Sequence, residues 1–363
     1  TEQARNLEHV LLAGFTHEPA VRLAERLSRM VPGNLHRLFF ADNGSSAIEV
    51  ALKMSYHAHL NQGENRPLFL SLTNSYHGET LGALSVGDVE LYKKTYEPIL
   101  IRSIQTPVPK DRSETAAREA AKALEAILKE KGREISAMIV EPLVQCAGYM
   151  HMYHPLYLTL ASELCKAYNV HLIADEIAVG FGRTGTMFAC EQAEIVPDFM
   201  TLSKGLTGGY MPLAVVLTHD EIYQAFYCDY LEYKAFLHSH SYTGNPLGCS
   251  CANAVLDIFE RESVIEKNRE KAAWMSELLK PFERLDNVKE VRQTGMIAAV
   301  ELQGYRPEER VNLKIFEYCL KHGLFIRPLG HVLYFMPPYV ISEDEMRHMI
   351  ETAYDAVKAL TVR

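Results

Sequence analysis

Short apolar runs alternate with longer amphipathic segments along most of this chain. Alternation of this kind is typical of an α/β domain whose central sheet is largely parallel. The apolar runs are predicted to form strands at Leu38–Ala41, Leu68–Leu72, Ala137–Glu141, Val170–Asp175, Phe199–Ser203 and Leu213–Leu217. The amphipathic segments are predicted to form helices at Pro19–Met30, Ser45–Leu60, Ala116–Lys131, Pro155–Tyr168 and Pro246–Arg261.

The last part of the chain follows a different pattern. It is predicted to begin with a helix and two strands. Another helix, two short strands and a last helix are predicted to follow. The elements with assigned positions are a helix over Val264–Leu285, strands near Val288–Arg292 and Ile297–Glu301, and a last helix over Ser342–Leu360. These patterns predict a large domain over residues 1–260 and a smaller α+β domain over residues 261–363.

Composition argues against several classes of function. The formal net charge is −9, and no basic stripe interleaved with aromatic residues occurs, so a nucleic-acid partner is not expected. No apolar run approaches the roughly 18 residues of a membrane helix, and no signal-peptide pattern is found. The seven cysteines contain no CxxC pair, which argues against a disulfide framework and a structural zinc site. We therefore expect a cytoplasmic protein with reduced thiols, no bound metal and no membrane contact.

A carboxylate ends one of the predicted strands. In open α/β sheets, ligands bind at the carboxyl ends of the strands, and Asp175 lies at such an end. Burying a carboxylate is costly unless it meets a cation, and a protonated pyridine nitrogen is one such cation. Ile177, two residues further on, could pack beneath a flat ring. The alternative interpretation is that Asp175 only caps the turn that follows the strand.

A lysine follows the next predicted strand and precedes a glycine-rich loop. An amine becomes nucleophilic when partial desolvation and nearby cations lower its pKa. A single lysine after a strand is usually solvated and inert, but Lys204 comes only 29 residues after Asp175, on a neighbouring strand. Together these residues provide what a pyridoxal ring requires, an amine for its aldehyde and a carboxylate for its pyridine nitrogen.

Four further segments could complete such a site. Gly44 and Ser45 open a helix, whose free N–H groups and positive dipole end favour a phosphate. Tyr76 follows a strand, where its ring could stack on a cofactor. The hydroxyl-rich segment 238–245 could bind phosphate, and Arg327 suits bidentate binding of a carboxylate. Taken singly, a helix N-cap, a core tyrosine, a polar helix entry and a surface arginine are the better-supported interpretations. Their occurrence together in this order favours the cofactor site.

These segments also resemble a known family, the class III (fold type I) aminotransferases, over nearly the whole chain. The resemblance lies in Gly44-Ser45, Tyr76-His77-Gly78, Asp175-Glu176, Ser203-Lys204-Gly205 and Gly244-Asn245-Pro246. Within the class, further stretches are similar to the members that aminate 8-amino-7-oxononanoate in biotin biosynthesis. These stretches are Glu141–Tyr149, Met152–Pro155, Leu172–Phe188, Ile326–Gly330 and Met336–Tyr339.

The resemblance implies a fold type I enzyme that depends on pyridoxal 5'-phosphate. It implies that Lys204 binds the cofactor covalently, that Asp175 pairs with its ring nitrogen, and that both are catalytic together with Tyr76. It further implies that Ile177 contacts the cofactor, and that Tyr76 lies in the pocket for ring and substrate. Gly44 is implied as a phosphate ligand, together with Ser45.

The resemblance also implies a homodimer with active sites at the subunit interface. Ser239 would touch substrate in the neighbouring subunit's site, where His240 and Ser241 would meet the phosphate. Arg327 would bind the substrate carboxylate. Ser239-His240-Ser241 stands where many relatives have Gly-Pro-Thr, but the hydroxyl at the last position is kept. The family's N-terminal segment, which supplies aromatic residues to the pocket, has no counterpart here, so we expect either a truncated N-terminus or a pocket that is open on that side.

The implied reaction is transamination of 8-amino-7-oxononanoate to 7,8-diaminononanoate, with S-adenosylmethionine as the amino donor. Two alternatives within the class stay open, a lysine-using variant of the same step and another ω-aminotransferase. An alternative of a different kind is an inactive homologue that serves as a binding protein. Retention of both Lys204 and Asp175 argues against this last alternative.

Overall fold

The computed structural model describes residues 1–360. The strands, numbered in chain order, are β1 (Arg37–Ala41), β2 (Leu68–Leu72), β3 (Ser103–Thr106), β4 (Ile135–Val140), β5 (Val144–Gln145), β6 (His151–Met152), β7 (His171–Asp175), β8 (Phe199–Leu202), β9 (Ala214–Thr218), β10 (Val288–Thr294), β11 (Ile297–Leu302) and β12 (Val332–Phe335).

The α-helices are numbered in the same way. They are α1 (Glu2–Asn6), α2 (Glu18–Met30), α3 (Gly44–Asn61), α4 (Leu81–Val86), α5 (Glu90–Lys93), α6 (Glu114–Lys131), α7 (Leu156–Ala167), α8 (Asp220–Gln224), α9 (Pro246–Glu262), α10 (Val264–Leu279), α11 (Val311–Lys321) and α12 (Glu343–Ala359). Short 3-10 helices occur at Lys94–Ile99, Gly132–Glu134, Ala189–Ala193, Lys204–Thr207, Tyr230–Glu232, Lys280–Arg284 and Pro307–Glu309.

The main sheet is mostly parallel, which confirms the prediction from the alternating pattern. Its strand order is β1-β9-β8-β7-β4-β2-β3. The strands from β8 to β3 pair in parallel, whereas β9 runs antiparallel to both β8 and β1. Strand β1 therefore points in the same direction as the parallel strands. The carboxyl ends of β1, β2, β4, β7 and β8 consequently meet at one edge of the sheet, where ligands bind in open α/β folds.

Helices cover both faces of this sheet because its strands are apolar on both faces. Alternate residues of β4 lie in two different hydrophobic clusters, Met138 and Val140 in one and Ala137 and Ile139 in the other. The first cluster includes residues of α2, α6, α7 and α9, and the second includes residues of α3 and α4. The sheet therefore forms the middle of three layers, as expected for an α/β domain.

Residues 264–360, which we call the C-terminal part, form a second sheet with its own helices. Strands β10, β11 and β12 are antiparallel neighbours in that order. Ala298 and Val300 of β11 pack in a hydrophobic cluster with residues of α10, α11 and α12. Ile297 and Ala299, on the opposite face of β11, pack in the first of the two clusters that cover the main sheet. The C-terminal part is thus α+β and rests against the rest of the chain, while the domain boundary at residue 261 stays a prediction.

Three details of the predicted elements are wrong. The helix predicted over Val264–Leu285 ends at Leu279 and continues as a 3-10 helix, because Pro281 cannot donate a backbone hydrogen bond. Strand β3 was not predicted, since its sequence is mostly polar and it lies at the sheet edge. Two short strands were predicted, without assigned positions, before the last helix; in the described chain only β12 forms between α11 and α12, while residues 325–328 are outside any strand and Leu329 forms only an isolated bridge. Pro328, which has no N–H group, weakens pairing there.

Membrane-spanning helices, metal-ligating clusters and disulfide bonds are absent from residues 1–360. No helix there is long and apolar enough to cross a membrane. The same residues offer no group of three or more His, Cys, Asp or Glu side chains that could hold a metal ion. All seven cysteines are unpaired.

Candidate active site

Several predicted site residues meet at the carboxyl edge of the main sheet. Tyr76, Ile177, Lys204 and Arg327 line one cavity of about 1210 Å³. The first three follow β2, β7 and β8, whereas Arg327 comes from the C-terminal part. Other walls of the cavity come from the facing ends of α9 and α10 and from residues 334–340. The cavity therefore lies between the main sheet and the C-terminal part.

Asp175 is buried at this edge and contacts a histidine. Its side chain is only about 6% exposed, and its Oδ2 lies 2.8 Å from Nδ1 of the fully buried His77. Its Oδ1 accepts a hydrogen bond of 3.1 Å from the Ile177 backbone N–H, so the turn contact of the alternative interpretation is also present. Within the described chain, His77 Nε2 has no hydrogen-bond partner. A buried carboxylate that contacts an imidazole and a backbone N–H suits a site for a cationic ligand group.

Glu141 is a second buried carboxylate at the same edge, and it was not predicted as a site residue. It directly follows β4, so the rule that selected Asp175 could have found it. Its two oxygens accept hydrogen bonds from the backbone N–H groups of Tyr76 (3.0 Å) and Cys146 (3.2 Å). Burial raises the pKa of Glu141 to about 7, against the opposing effect of His77. Glu141 therefore fixes the backbone on which the Tyr76 ring is carried.

Tyr76 is a half-buried wall residue rather than a core tyrosine. Its hydroxyl donates a 3.0 Å hydrogen bond to Glu79, and its ring centroid lies 5.3 Å from that of Tyr92. Burial and the Glu79 hydrogen bond raise the pKa of Tyr76 to about 12, so the phenol stays protonated at neutral pH. The Tyr76 ring is thus held at the cavity wall by the Glu79 hydrogen bond and by its contact with the Tyr92 ring.

The start of α3 is packed closely against two other segments. A side chain at Gly78 would place Cβ 2.3 Å from Ser45 Oγ, and Gly78 has a φ of +122°, so only glycine fits there. Ser45 Oγ accepts a hydrogen bond of 3.1 Å from the Thr80 backbone N–H. A Cβ on Gly44 would lie 3.0 Å from Ile177, which shows how closely the helix start approaches the cavity wall. The N-cap of the alternative interpretation is also present, at Asn43.

Lys204 has an unusual backbone conformation beside the cavity. Its φ is +41°, in the left-handed region that residues with a Cβ rarely adopt. Such strain persists only when the surrounding structure holds it, and it is found most often at functional sites. Within the described residues the Lys204 ammonium makes no hydrogen bond and no ion pair. The amine is therefore accessible from the cavity.

Arg327 and Arg183 bring two guanidinium groups to the cavity. Arg327 is exposed to it, and in residues 1–360 its guanidinium has no ion-pair or hydrogen-bond partner. Arg183, which was not predicted as a site residue, donates a 2.7 Å hydrogen bond to the Pro337 carbonyl and stacks over the Tyr339 ring. The guanidinium of Arg183 is therefore already bound by other residues of the chain, while that of Arg327 is available to bind an anionic ligand.

Gly44, Ser45 and Asp175 do not line the cavity themselves, although Gly44 and Asp175 contact its wall residue Ile177. Three further predicted site residues lie on a separate segment. Ser239, His240 and Ser241 precede α9 and do not line this cavity in the described chain. His240 is tied locally, with its backbone N–H donating to Thr243 Oγ1 at 3.1 Å. The sequence analysis predicts that they contact substrate and phosphate in the active site of a neighbouring subunit, and this role stays a prediction.

Comparison with known proteins agrees with this geometry. The family model for class III aminotransferases matches residues 1–357. The adenosylmethionine-8-amino-7-oxononanoate aminotransferase of Helicobacter pylori is 53% identical over 354 residues, which cover 96% of this chain and 80% of that protein.

Solved structures point to the same family. The crystal structure of the corresponding enzyme of Methanocaldococcus jannaschii matches with a TM-score of 0.94 at 34% identity, covering 99% of this chain and 83% of that one. An omega transaminase from Pseudomonas jessenii, solved in complex with PMP, matches with a TM-score of 0.93 at 28% identity, with the same coverage. The chain therefore belongs to the class III aminotransferases, and it is a pyridoxal-phosphate-dependent transaminase of fold type I.

Proposed function

We propose that this enzyme transfers an amino group to 8-amino-7-oxononanoate, giving 7,8-diaminononanoate in biotin biosynthesis, with S-adenosylmethionine as the donor. The names of the relatives above support this substrate pair. The observation that carries the proposal is the unpaired Arg327 in the same cavity as the free amine of Lys204. The oxononanoate carries its carboxylate far from its ketone, and an arginine that enters the cavity from the C-terminal part suits that arrangement.

The residues around the cavity fit pyridoxal phosphate. A buried carboxylate beside a histidine with an unpartnered nitrogen suits a pyridine nitrogen, and an unpaired lysine amine suits an aldehyde. When bound, the cofactor supplies an acceptor for the electron pair released when the donor carbon loses its proton. The residues proposed to hold it in this chain are Gly44, Ser45, Tyr76, Asp175, Ile177 and Lys204.

Within this proposal each side chain has a separate task. Lys204 would hold the cofactor through its Nζ, and in the reaction the same Nζ would take up and return the proton of the donor. Asp175 keeps a positive charge on the ring nitrogen, because a buried carboxylate stabilises a cation next to it. Tyr76 forms one wall of the ring and substrate pocket. Arg327 orients the acceptor through its carboxylate.

We also propose a cytoplasmic homodimer, in which Ser239, His240 and Ser241 contribute to the site of the neighbouring subunit. The segment before α9 supports this proposal, because it exposes large apolar side chains such as Tyr230 (86%) and Leu237 (85%). A concentrated patch of this kind is typical of a protein interface. The unpaired cysteines are consistent with a reducing compartment.

A half-reaction assay tests the proposed donor. The purified enzyme is mixed with S-adenosylmethionine, lysine or a simple ω-amino acid, and the cofactor absorbance is followed through one turnover. We expect conversion with S-adenosylmethionine at least roughly tenfold faster than with lysine, since a donor that uses the pocket contacts reacts faster. The converted enzyme should then regain its original spectrum on addition of 8-amino-7-oxononanoate.

The other results identify the alternatives. Faster conversion by lysine would contradict the proposed donor and support the lysine-using variant. Conversion by simple ω-amino acids alone would support another ω-aminotransferase, an activity that the similarity to the Pseudomonas jessenii enzyme favours as the second candidate. A colourless protein that reacts with no donor would indicate an inactive homologue.

A further inference from the structure

The C-terminal part holds one loop of the active-site edge through several hydrogen bonds. This loop, Phe181–Gly185, comes a few residues after Asp175. Its contacts are Tyr339 Oη to the Phe181 carbonyl (2.7 Å), Arg183 Nη1 to the Pro337 carbonyl (2.7 Å), Met296 N–H to the Arg183 carbonyl (2.8 Å) and Arg269 Nε to the Gly185 carbonyl (3.0 Å). The loop is therefore fixed from the side that carries Arg327.

Phe181 is the strained residue of the Phe181–Gly185 loop. Its φ is +55°, although it is not a glycine, and its ring is buried against Phe188 and Phe259. A residue with a Cβ adopts this conformation only when tertiary contacts hold it there. The hydrogen bond from the Tyr339 hydroxyl to the Phe181 carbonyl acts on the strained residue itself.

Phe181 in turn packs against the backbone next to Lys204. A Cβ on Gly205 would lie 2.9 Å from Phe181 Cβ, so the Phe181 side chain packs directly on the Gly205 backbone. Lys204 immediately precedes Gly205 and is itself left-handed, with a φ of +41°. Phe181 is thus left-handed on one side of this contact and Lys204 adjoins the other side, so a shift of Phe181 changes the space available to the Gly205 backbone next to Lys204.

Tyr339 is itself firmly held. The Lys271 ammonium donates a hydrogen bond to its backbone carbonyl, and the Arg183 guanidinium lies 4.5 Å from its ring centroid. Burial raises the pKa of Tyr339 to about 12, so the hydroxyl remains a donor at neutral pH.

We propose that the Tyr339 hydroxyl is a positioning group for Lys204, acting through Phe181 and Gly205. It sets the backbone from which the lysine reaches the cofactor, and it ties that backbone to the C-terminal part. The inference depends on Lys204 binding the cofactor, as proposed above, but not on the identity of donor or acceptor. Small displacements of a reacting group can cost as much as about 100-fold in rate, so one hydroxyl at this place can affect catalysis measurably.

The substitution Tyr339→Phe tests the proposal, because it removes only the hydroxyl and keeps the ring under Arg183. In the purified holoenzyme we expect the rate constant of the donor half-reaction to fall about tenfold, with the donor KM changed less than about twofold. We also expect the pH midpoint of the cofactor's visible absorbance to move by more than about half a pH unit, because this midpoint reports the surroundings of the Lys204 nitrogen.

Tyr305→Phe is the matched control. Tyr305 also belongs to the C-terminal part, and its hydroxyl accepts a 2.8 Å hydrogen bond from Asn287 away from the cavity. It should lower the unfolding temperature about as much as Tyr339→Phe while leaving the half-reaction rate and absorbance midpoint unchanged. The proposal is overturned if Tyr339→Phe stays within twofold of wild type with an unmoved midpoint, or if Tyr305→Phe changes both equally. Borohydride labelling of the wild type separates these results from failure of the Lys204 role itself.

Discussion

Asp175→Asn is expected to lower turnover about 1000-fold while leaving the fold and the covalent attachment of the cofactor intact. The asparagine has nearly the same size and can still accept the Ile177 hydrogen bond, but it cannot stabilise a positive charge on the ring nitrogen. Loss of one preorganised electrostatic contact in a buried site typically costs 100- to 1000-fold in kcat. The measurement is kcat at saturating donor and acceptor, together with the absorbance of the bound cofactor.

Asp198→Asn is the matched control for this substitution. Asp198 lies at the opposite edge of the same sheet, where it accepts a 2.7 Å hydrogen bond from the Leu172 N–H and contacts His219 at 3.0 Å. Its replacement should lower the unfolding temperature without changing turnover per folded molecule. If Asp175→Asn retains near wild-type turnover, Asp175 is only the turn-capping residue of the alternative interpretation.

Arg327→Ala is expected to raise KM for 8-amino-7-oxononanoate about 30-fold or more. Arg327 has no partner within residues 1–360, so its removal leaves the fold intact but deprives the acceptor carboxylate of its cation. Loss of one partner of a charge pair costs about 2–5 kcal/mol, and the exposure of Arg327 to the cavity favours the lower end. About 2 kcal/mol corresponds to roughly 30-fold in an equilibrium constant. Steady-state kinetics with varied acceptor measures the change.

Arg327→Lys supplies the comparison. Lysine keeps the charge but lacks the planar fork for bidentate binding, so its KM should lie between those of the wild type and Arg327→Ala. If Arg327 is only a solvated surface residue, both variants should stay within about twofold in both half-reactions, since exposed ion pairs contribute less than roughly 1 kcal/mol. That result would leave a transaminase but would remove the main structural support for a carboxylate-bearing acceptor.

The fold could be predicted where the local pattern was unambiguous. Strand β4 is apolar except for Ser136 and is buried along its whole length, and the apolar strands around it are equally clear. Strand β3 could not be recognised, because Ser103–Thr106 is mostly polar and becomes a strand only by pairing with β2. The early end of α10 has a local cause, Pro281, that the periodicity of the surrounding apolar residues concealed.

The site could be predicted only in part, because its residues come together through long-range packing. The rule that ligands bind at strand ends led to Tyr76, Asp175 and Lys204. It could not show that His77 contacts Asp175, 98 residues away, or that Tyr339 contacts Phe181 across 158 residues. Such contacts depend on which strands are neighbours and on how the C-terminal part packs, and neither is encoded in a local motif.

Borohydride reduction followed by peptide mapping tests the central claim most directly. The reagent fixes pyridoxal phosphate to the lysine that binds it, and Lys204 shares the cavity with two other lysines, Lys267 and Lys271. We predict that the purified protein is yellow and that the label lies on Lys204 alone, with no label in Lys204→Ala. A label on Lys267 or Lys271, or on no lysine, would contradict the account.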